Sequence, residues 1–170
     1  NPSSMFGHTL LRLDPKDQKQ LNLVSYAVNY AATVANSDSF SFAWKGLTGQ
    51  YPGEYSLMPY YRKVKEYGDL ESRDLWEYEL ALTPEETKTL VEHIWELKHV
   101  QFPYYFISDN CAYRLLGLID LVRPEVNLQK QFKTVAIPVE TIKAVDENHL
   151  IAESVYRPAL ETQLLAQAKQ

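Results

Sequence analysis

SDNCAYRLLGLIDLV, Ser108–Val122, contains the one cysteine of a 170-residue chain, and its reading decides the fold. Ser108, Asp109 and Asn110 are all good N-cap residues standing directly before an apolar run. Leu115, Leu116, Leu118, Ile119 and Val122 cover much of a helical circumference, which predicts a central, buried helix from about Cys111 to just before Pro124. Whichever residue caps it, Cys111 falls in the first turn. There the unpaired backbone N–H groups and the positive end of the helix dipole stabilise a thiolate. A free thiol titrates near about 8.5, but at such a position, beside an imidazole or a cation, it can fall to about 3.5–7.5. The same N–H groups suit an oxyanion formed when sulfur attacks a carbonyl. The competing reading is a small buried core residue, a common fate of free cysteine.

Outward from this helix, Thr83-Pro84-Glu85-Glu86 is a strong helix start: Thr as cap, Pro in the first turn, Glu three residues after the cap. That helix is expected to reach about His99. DLWEYELAL (Asp74–Leu82) alternates like a strand. MFGHTLLRL (5–13) and LNLVSYAVNYAA (Leu21–Ala32) predict two strands joined as a hairpin. Residues 33–73, rich in Gly, Pro, Ser and Tyr, read as a long irregular arm. TVAIPVETIKAV reads as a short extended piece and a helical turn, and SVYRPALETQLLAQAKQ as a strand fragment, or the continuation of an arm, and a fraying helix. Strands and helices segregated in this way predict a single α+β domain over 1–170, a small antiparallel sheet packed against helices.

Hydrophobic content of 45%, charged content of 23% and a net charge of −5 with mixed signs leave no footprint for nucleic acid. No run of eighteen apolar residues predicts a membrane span. The start at NPSSMFGHTLLRL, without an initiator Met, reads as a piece cut from a longer protein. Glycines 46, 49 and 53 lack the spacing of a phosphate loop. His93 and His99, six residues apart on a helix, make a poor metal pair. Neither a cofactor nor a metal is expected.

A thiol nucleophile needs a base. Of the four histidines, His8 stands out: it is placed mid-strand after Gly7, whose missing side chain permits close approach. Asn29 and Ser25 share a face of the second strand, and either is a candidate to orient the ring.

The blocks SSMFGHTLLRL, YAVNY, KGLTGQYPGEYSLMPYYRKVKEY, LESRDLWEYELAL and YYFISDNCAYRLL, followed by IPVETIK and YRP, resemble the bacterial Lnb N-terminal periplasmic domain family over almost the whole chain. Members sit outside the cytoplasmic membrane, often leading a longer envelope protein. The best-understood relatives are lipoprotein N-acyltransferases thought to use a His and a Cys that correspond to His8 in FGHT and Cys111 in NCAY. The order also resembles the circularly permuted branch of the NlpC-type papain-like enzymes. What the resemblance implies is a periplasmic thiol enzyme passing an acyl group through a thioester, with a phospholipid as donor and a lipoprotein or peptide as acceptor. Contact with a membrane surface is part of that expectation.

In this reading Cys111 attacks, His8 carries the proton, Asn29 or Ser25 holds the ring, and backbone N–H groups at Cys111 bind the oxyanion. Asn110 supports them and Tyr26 is a side-chain donor. The aromatic and cationic residues Lys45, Tyr51, Tyr60, Tyr61 and Arg62 of the arm are candidates for substrate contact. The alternatives are a peptidoglycan peptidase or amidase of NlpC type, and a catalytically silent envelope binding module.

Overall fold

In a computed structural model, residues 7–14, 25–34, 39–66 and 74–167 are described. The strands are β1 (Leu11–Leu13), β2 (Tyr26–Ala32), β3 (Tyr51–Pro59), β4 (Leu75–Leu80), β5 (Gln101–Tyr104) and β6 (Ile151–Arg157). The helices are α1 (Ser39–Leu47), α2 (Tyr60–Lys65), α3 (Pro84–Glu96), α4 (Cys111–Val122), α5 (Pro138–Glu147) and α6 (Leu160–Gln167). Four strands form one sheet in the order β1-β2-β3-β5, and β4 pairs with β6 in a second. β3 with β5 and β4 with β6 are antiparallel pairs, and the fold is mixed α+β with small sheets.

The chain gathers into two compact units. One comprises Asn1–Leu11, Val28–Ser56 and Leu82–Asn148; the other comprises Arg12–Ala27, Leu57–Ala81 and His149–Gln170. In the first, α4 packs against α3, α5 and a 3-10 turn at Gln129–Gln131. Leu115, Leu116, Leu118 and Ile119 of α4 are buried, together with Leu90 and Ile94 of α3. A fully buried leucine gains about 1.5–3 kcal/mol over an exposed one, so this helix is the chief apolar anchor of its unit. Gly117 is the gap in its apolar surface, because a side chain there would run into Gln129. Asp120 accepts the Leu128 and Gln129 N–H groups at 2.7 and 2.9 Å, fixing the chain after the helix.

In the second unit β4 lies against β6 with Trp76 opposite Tyr156. Glu77 is the hub of its polar interior. It accepts from Arg157 Nε at 2.6 Å, from Arg12 Nη1 at 3.2 Å, and from the Tyr60 hydroxyl. Arg12 also reaches Asp14 at 2.7 Å and lies 4.7 Å from the Tyr60 ring centre. Ser25 donates to Asp14 and accepts from Arg12.

Several expectations require correction. His8 is not mid-strand: it stands in an irregular stretch three residues before β1. The described part of 33–73 is not an irregular arm, since it contains α1, β3 and α2, while 35–38 and 67–73 lie outside the described residues. The cause of the misreading is Pro52 and Gly53, which look like turn residues. Pro52 lies opposite Pro103 in the β3–β5 register, while its carbonyl turns the other way to accept Thr33 N–H at 2.9 Å. A proline facing a proline breaks no bond between those two strands. Gly53 leaves room for the Tyr30 hydroxyl, which a Cβ would strike. Strand β6, read as a fragment, is a seven-residue strand, and α5, read as one turn, has ten residues. β1 and β2 are sheet neighbours, as a hairpin would have them, although the connecting residues 15–24 lie outside the described ones.

Candidate functional site

The start of α4 is built by Asn110. Its backbone is extended, and its side-chain oxygen accepts the Ala112 and Tyr113 N–H groups at 3.1 and 3.3 Å. Its amide nitrogen donates to the carbonyls of Ala136 at 2.8 Å, Phe106 at 3.2 Å and Ile107 at 3.4 Å. Every polar atom of the buried side chain is thus committed to backbone, which makes Asn110 a support of the site rather than a donor to substrate. Asp109 instead pairs with Arg114, at 2.5 and 2.6 Å, and Ser108 plays no part in the cap. The result is that Cys111 is the first residue of the helix, 3% exposed.

Around its sulfur three groups converge. The His8 side chain, the Thr9 backbone N–H and the Tyr104 hydroxyl all hydrogen-bond to it. Burial pushes the thiol up and is the largest single influence. The hydrogen bond and charge of His8, helped by Thr9 and Tyr104, outweigh it, so the thiol lies below its ordinary value. Tyr104 Oη also accepts the Cys111 N–H at 3.4 Å, and burial followed by the neighbouring sulfur charge drives its own titration far up. It therefore remains a neutral hydroxyl, able to donate, at the electropositive tip of the helix.

The imidazole is held from its other side. His8 Nε2 lies 2.5 Å from Asn29 Oδ1, and Asn29 Nδ2 donates to Ser56 Oγ at 3.4 Å. An amide oxygen only accepts, so Nε2 carries a proton, and Nδ1 is the nitrogen left for the thiol. Gly7, at φ +93°, makes the turn that brings His8 here and passes Pro138 closely. Asn29 reaches the ring from the middle of β2, where Ala27, Val28 and Tyr30 are also buried.

Behind Tyr104 lies a pile of aromatic rings. Tyr30 stacks on Tyr104 with ring centres 5.5 Å apart and meets Tyr55 at 4.9 Å. Burial pushes Tyr30 up to about 12 and Tyr55 further still. The Arg114 guanidinium lies 4.2 Å from the Phe102 ring centre, on the same helix that carries the thiol. Ring pairs of this kind contribute about 0.5–1.5 kcal/mol each beyond area burial, and here they fix the rotamer of the hydroxyl that meets sulfur.

Of the residues singled out in the sequence, Cys111, His8, Asn29 and Asn110 come together in one unit. Ser25 does not join them; it is spent on Arg12 and Asp14. Tyr26 is half exposed at the start of β2, and the tyrosine at the thiol is Tyr104. Tyr51 and Tyr60, expected on an arm, are buried: Tyr51 stacks on Phe106 and Tyr60 serves Glu77. Packing rather than substrate contact occupies both. Lys45 lies in the last turn of α1, and Tyr61 and Arg62 are exposed on α2. Sequence reasoning missed Tyr104 and the Thr9 N–H. The available signal was position alone: Tyr104 ends β5, seven residues before the cysteine.

Among the described residues no group of three His, Cys, Asp or Glu side chains is placed to hold a metal ion, and no helix is long and apolar enough to cross a membrane. No curated protein and no solved structure matched the chain. A family model described as the Lnb N-terminal periplasmic domain matches residues 1–148, most of the chain's length. The chain belongs to the Lnb N-terminal periplasmic domain family, and its place is the periplasm.

Proposed function

We propose that this domain is a thiol enzyme of the cell envelope that moves an acyl group through a thioester on Cys111. One observation carries the reading: a thiol at a helix start is hydrogen-bonded to an imidazole whose far nitrogen is held by an asparagine amide. That order of groups, with His8 preceding Cys111 in the chain, supports a permuted papain-like architecture.

The steps follow from the contacts. Cys111 gives its proton to His8 Nδ1, and its sulfur adds to the carbonyl carbon of the substrate. The electron pair of the C=O moves onto oxygen, which takes the Cys111 N–H from its long 3.4 Å bond to Tyr104 Oη and accepts from the Tyr104 hydroxyl beside it. Collapse expels the alkoxide or amine, which takes the proton from His8 and leaves an acyl-thioester. An incoming amine, or water, then adds to the thioester and gives its proton to His8. The thiolate departs and is reprotonated. The Asn29 oxygen holds Nε2–H throughout, so the ring keeps one orientation while Nδ1 gains and loses its proton.

Family membership favours a lipid-derived acyl donor and a lipoprotein or peptide amine as acceptor. Intact-mass spectrometry after incubation with phospholipid tests this. The expected result is an adduct equal to one fatty acyl group on the parent protein and none on Cys111→Ala. Absence of that adduct together with cleavage of muropeptides would move the reading to an amidase of NlpC type. If neither occurs and Cys111 alkylates with an ordinary thiol titration in both the parent and His8→Ala, the domain is a binding module and the proposal fails.

A further inference from the structure

Helix α1 is apolar on two sides. Its inner side is taken up by Phe42, whose ring lies 5.0 Å from that of Phe106, and by Gly46, buried against the same ring. Its outer side carries Phe40, Trp44 and Leu47, which are 80%, 57% and 54% exposed. Their spacing of four and three residues puts them on one stripe. Backbone hydrogen bonds place two further segments beside this helix. Phe106 N–H donates to Gly46 O at 2.9 Å, and Ala136 N–H donates to Ile107 O at 2.8 Å. The end of α1, residues 106–107 and residues 135–137 therefore run side by side, and Ile107, Val135 and Ile137 are exposed as well. Asn110 binds carbonyls of the second and third of these segments, so those two adjoin the helix start that carries Cys111.

A patch with this many large apolar side chains is unusual on a surface meant only for water. Its charges say what covers it. The chain as a whole is acidic, at −5, yet the one charged residue of α1 is Lys45, and the 134–137 segment is entered through exposed Lys133. Glu140, in the first turn of α5, is the carboxylate nearest in sequence to that segment. Trp, Phe and Leu flanked by lysine suit the boundary between acyl chains and anionic headgroups.

We propose that this face docks on an anionic phospholipid surface, with Phe40, Trp44 and Leu47 among the upper acyl chains and Lys45 and Lys133 at headgroup level. Docking requires no turnover, so it stands apart from the acyl-transfer reading.

The test is sedimentation of the whole chain with vesicles of phosphatidylglycerol and phosphatidylcholine, compared with phosphatidylcholine alone. Binding is expected to favour the anionic vesicles, and Cys111→Ala is expected to bind like the parent. Phe40→Ser/Trp44→Ser/Leu47→Ser should weaken binding by about tenfold or more, as buried apolar area is lost. Lys45→Glu/Lys133→Glu should abolish the preference for anionic lipid. In Trp76→Phe/Trp95→Phe, where Trp44 is the remaining tryptophan, brominated acyl chains should quench its emission. Circular dichroism and thermal melting of each variant establish that it is folded. A parent chain that ignores both vesicles, or a folded triple-serine variant that binds equally well, overturns the proposal. So does a dimer of the parent, seen by light scattering, that the triple-serine variant dissolves, since the face would then belong to a second copy.

Discussion

The start of α4 and the surroundings of Glu77 are both polar networks set into apolar packing, and they differ in what is left over. Around Glu77 every formal charge meets an opposite one: Arg12 has Asp14 and Glu77, and Arg157 has Glu77. The carboxylate is pushed up by burial and pulled down further by Arg157, Tyr60 and Arg12, so it stays ionised and fully engaged. Around Cys111 the supporting groups are neutral. An amide, a hydroxyl and backbone N–H groups surround one thiol and one imidazole, and the sole mobile proton is the one those two share. The first arrangement holds strands together. The second holds a thiol below its ordinary titration range beside an imidazole. The lesson is that a saturated network spends its chemistry on stability, whereas a network with one exchangeable proton has chemistry to offer.

The sharpest way to break this contrast is His8→Ala. It should slow acyl transfer by about 10²–10⁴-fold, the usual worth of a positioned base. Iodoacetamide labelling against pH should move to a higher midpoint, toward an ordinary thiol, while the melting temperature changes little. If the labelling profile does not move, the thiol is not activated by this imidazole.

Glu77→Gln should do the reverse. Removing one partner from a buried ion cluster costs about 3–5 kcal/mol, and partial exposure of this one reduces the figure to about 2–3. Chemical denaturation should show that loss, with the Cys111 labelling midpoint unchanged below the melting temperature. A labelling midpoint that shifts with Glu77 would merge the two networks into one.

Tyr104→Phe sharpens the comparison from within the site. The sulfur loses a hydrogen bond that favours its charged form, and the proposed oxyanion site loses a hydroxyl. The labelling midpoint should rise, by less than in His8→Ala, and transfer should slow by about tenfold to a hundredfold. An unchanged pH profile would reduce Tyr104 to packing.

The smallest effect belongs to the half-buried pair of Glu86 and Arg123. Hydrogen bonds from Arg123 and from the Thr83 backbone hold Glu86 down to about 2, from an ordinary 4.5. A carboxylate depressed on folding stabilises above its unfolded value and loses that contribution as pH falls through its folded one. Stability should therefore decline between about pH 4.5 and 2 more steeply in the parent than in Glu86→Gln. Equal slopes would show that the half-buried pair contributes nothing.

Much of this was legible along the chain wherever local signals agreed. Thr83 and Glu86 announced a capping box, and both halves are present, at 3.2 and 2.7 Å. The alternation in 74–82 became β4, and the run after Asn110 became α4. The sequence offers Asn29 and Ser25 alike to hold the imidazole, and the contacts give that place to Asn29 while Ser25 meets Arg12. Illegible were features that depend on distant partners. β3 looks like a turn until Pro103 and Tyr30 are known to face it. Tyr60 looks like a surface aromatic until Glu77 is opposite it. Tyr104 has no local mark at all, since what matters is that β5 stops where α4 begins.

Gly46 has a long reach. Its carbonyl holds Phe106, the Phe106 carbonyl holds the Asn110 amide, and a single added methyl at position 46 would collide with the Phe106 ring. Damage inflicted sixty-five positions upstream of the sulfur would thus travel along this linkage and tilt the ledge on which the nucleophile stands. In a random mutagenesis screen, inactive clones should cluster at this inconspicuous codon as well as at the reacting residues themselves.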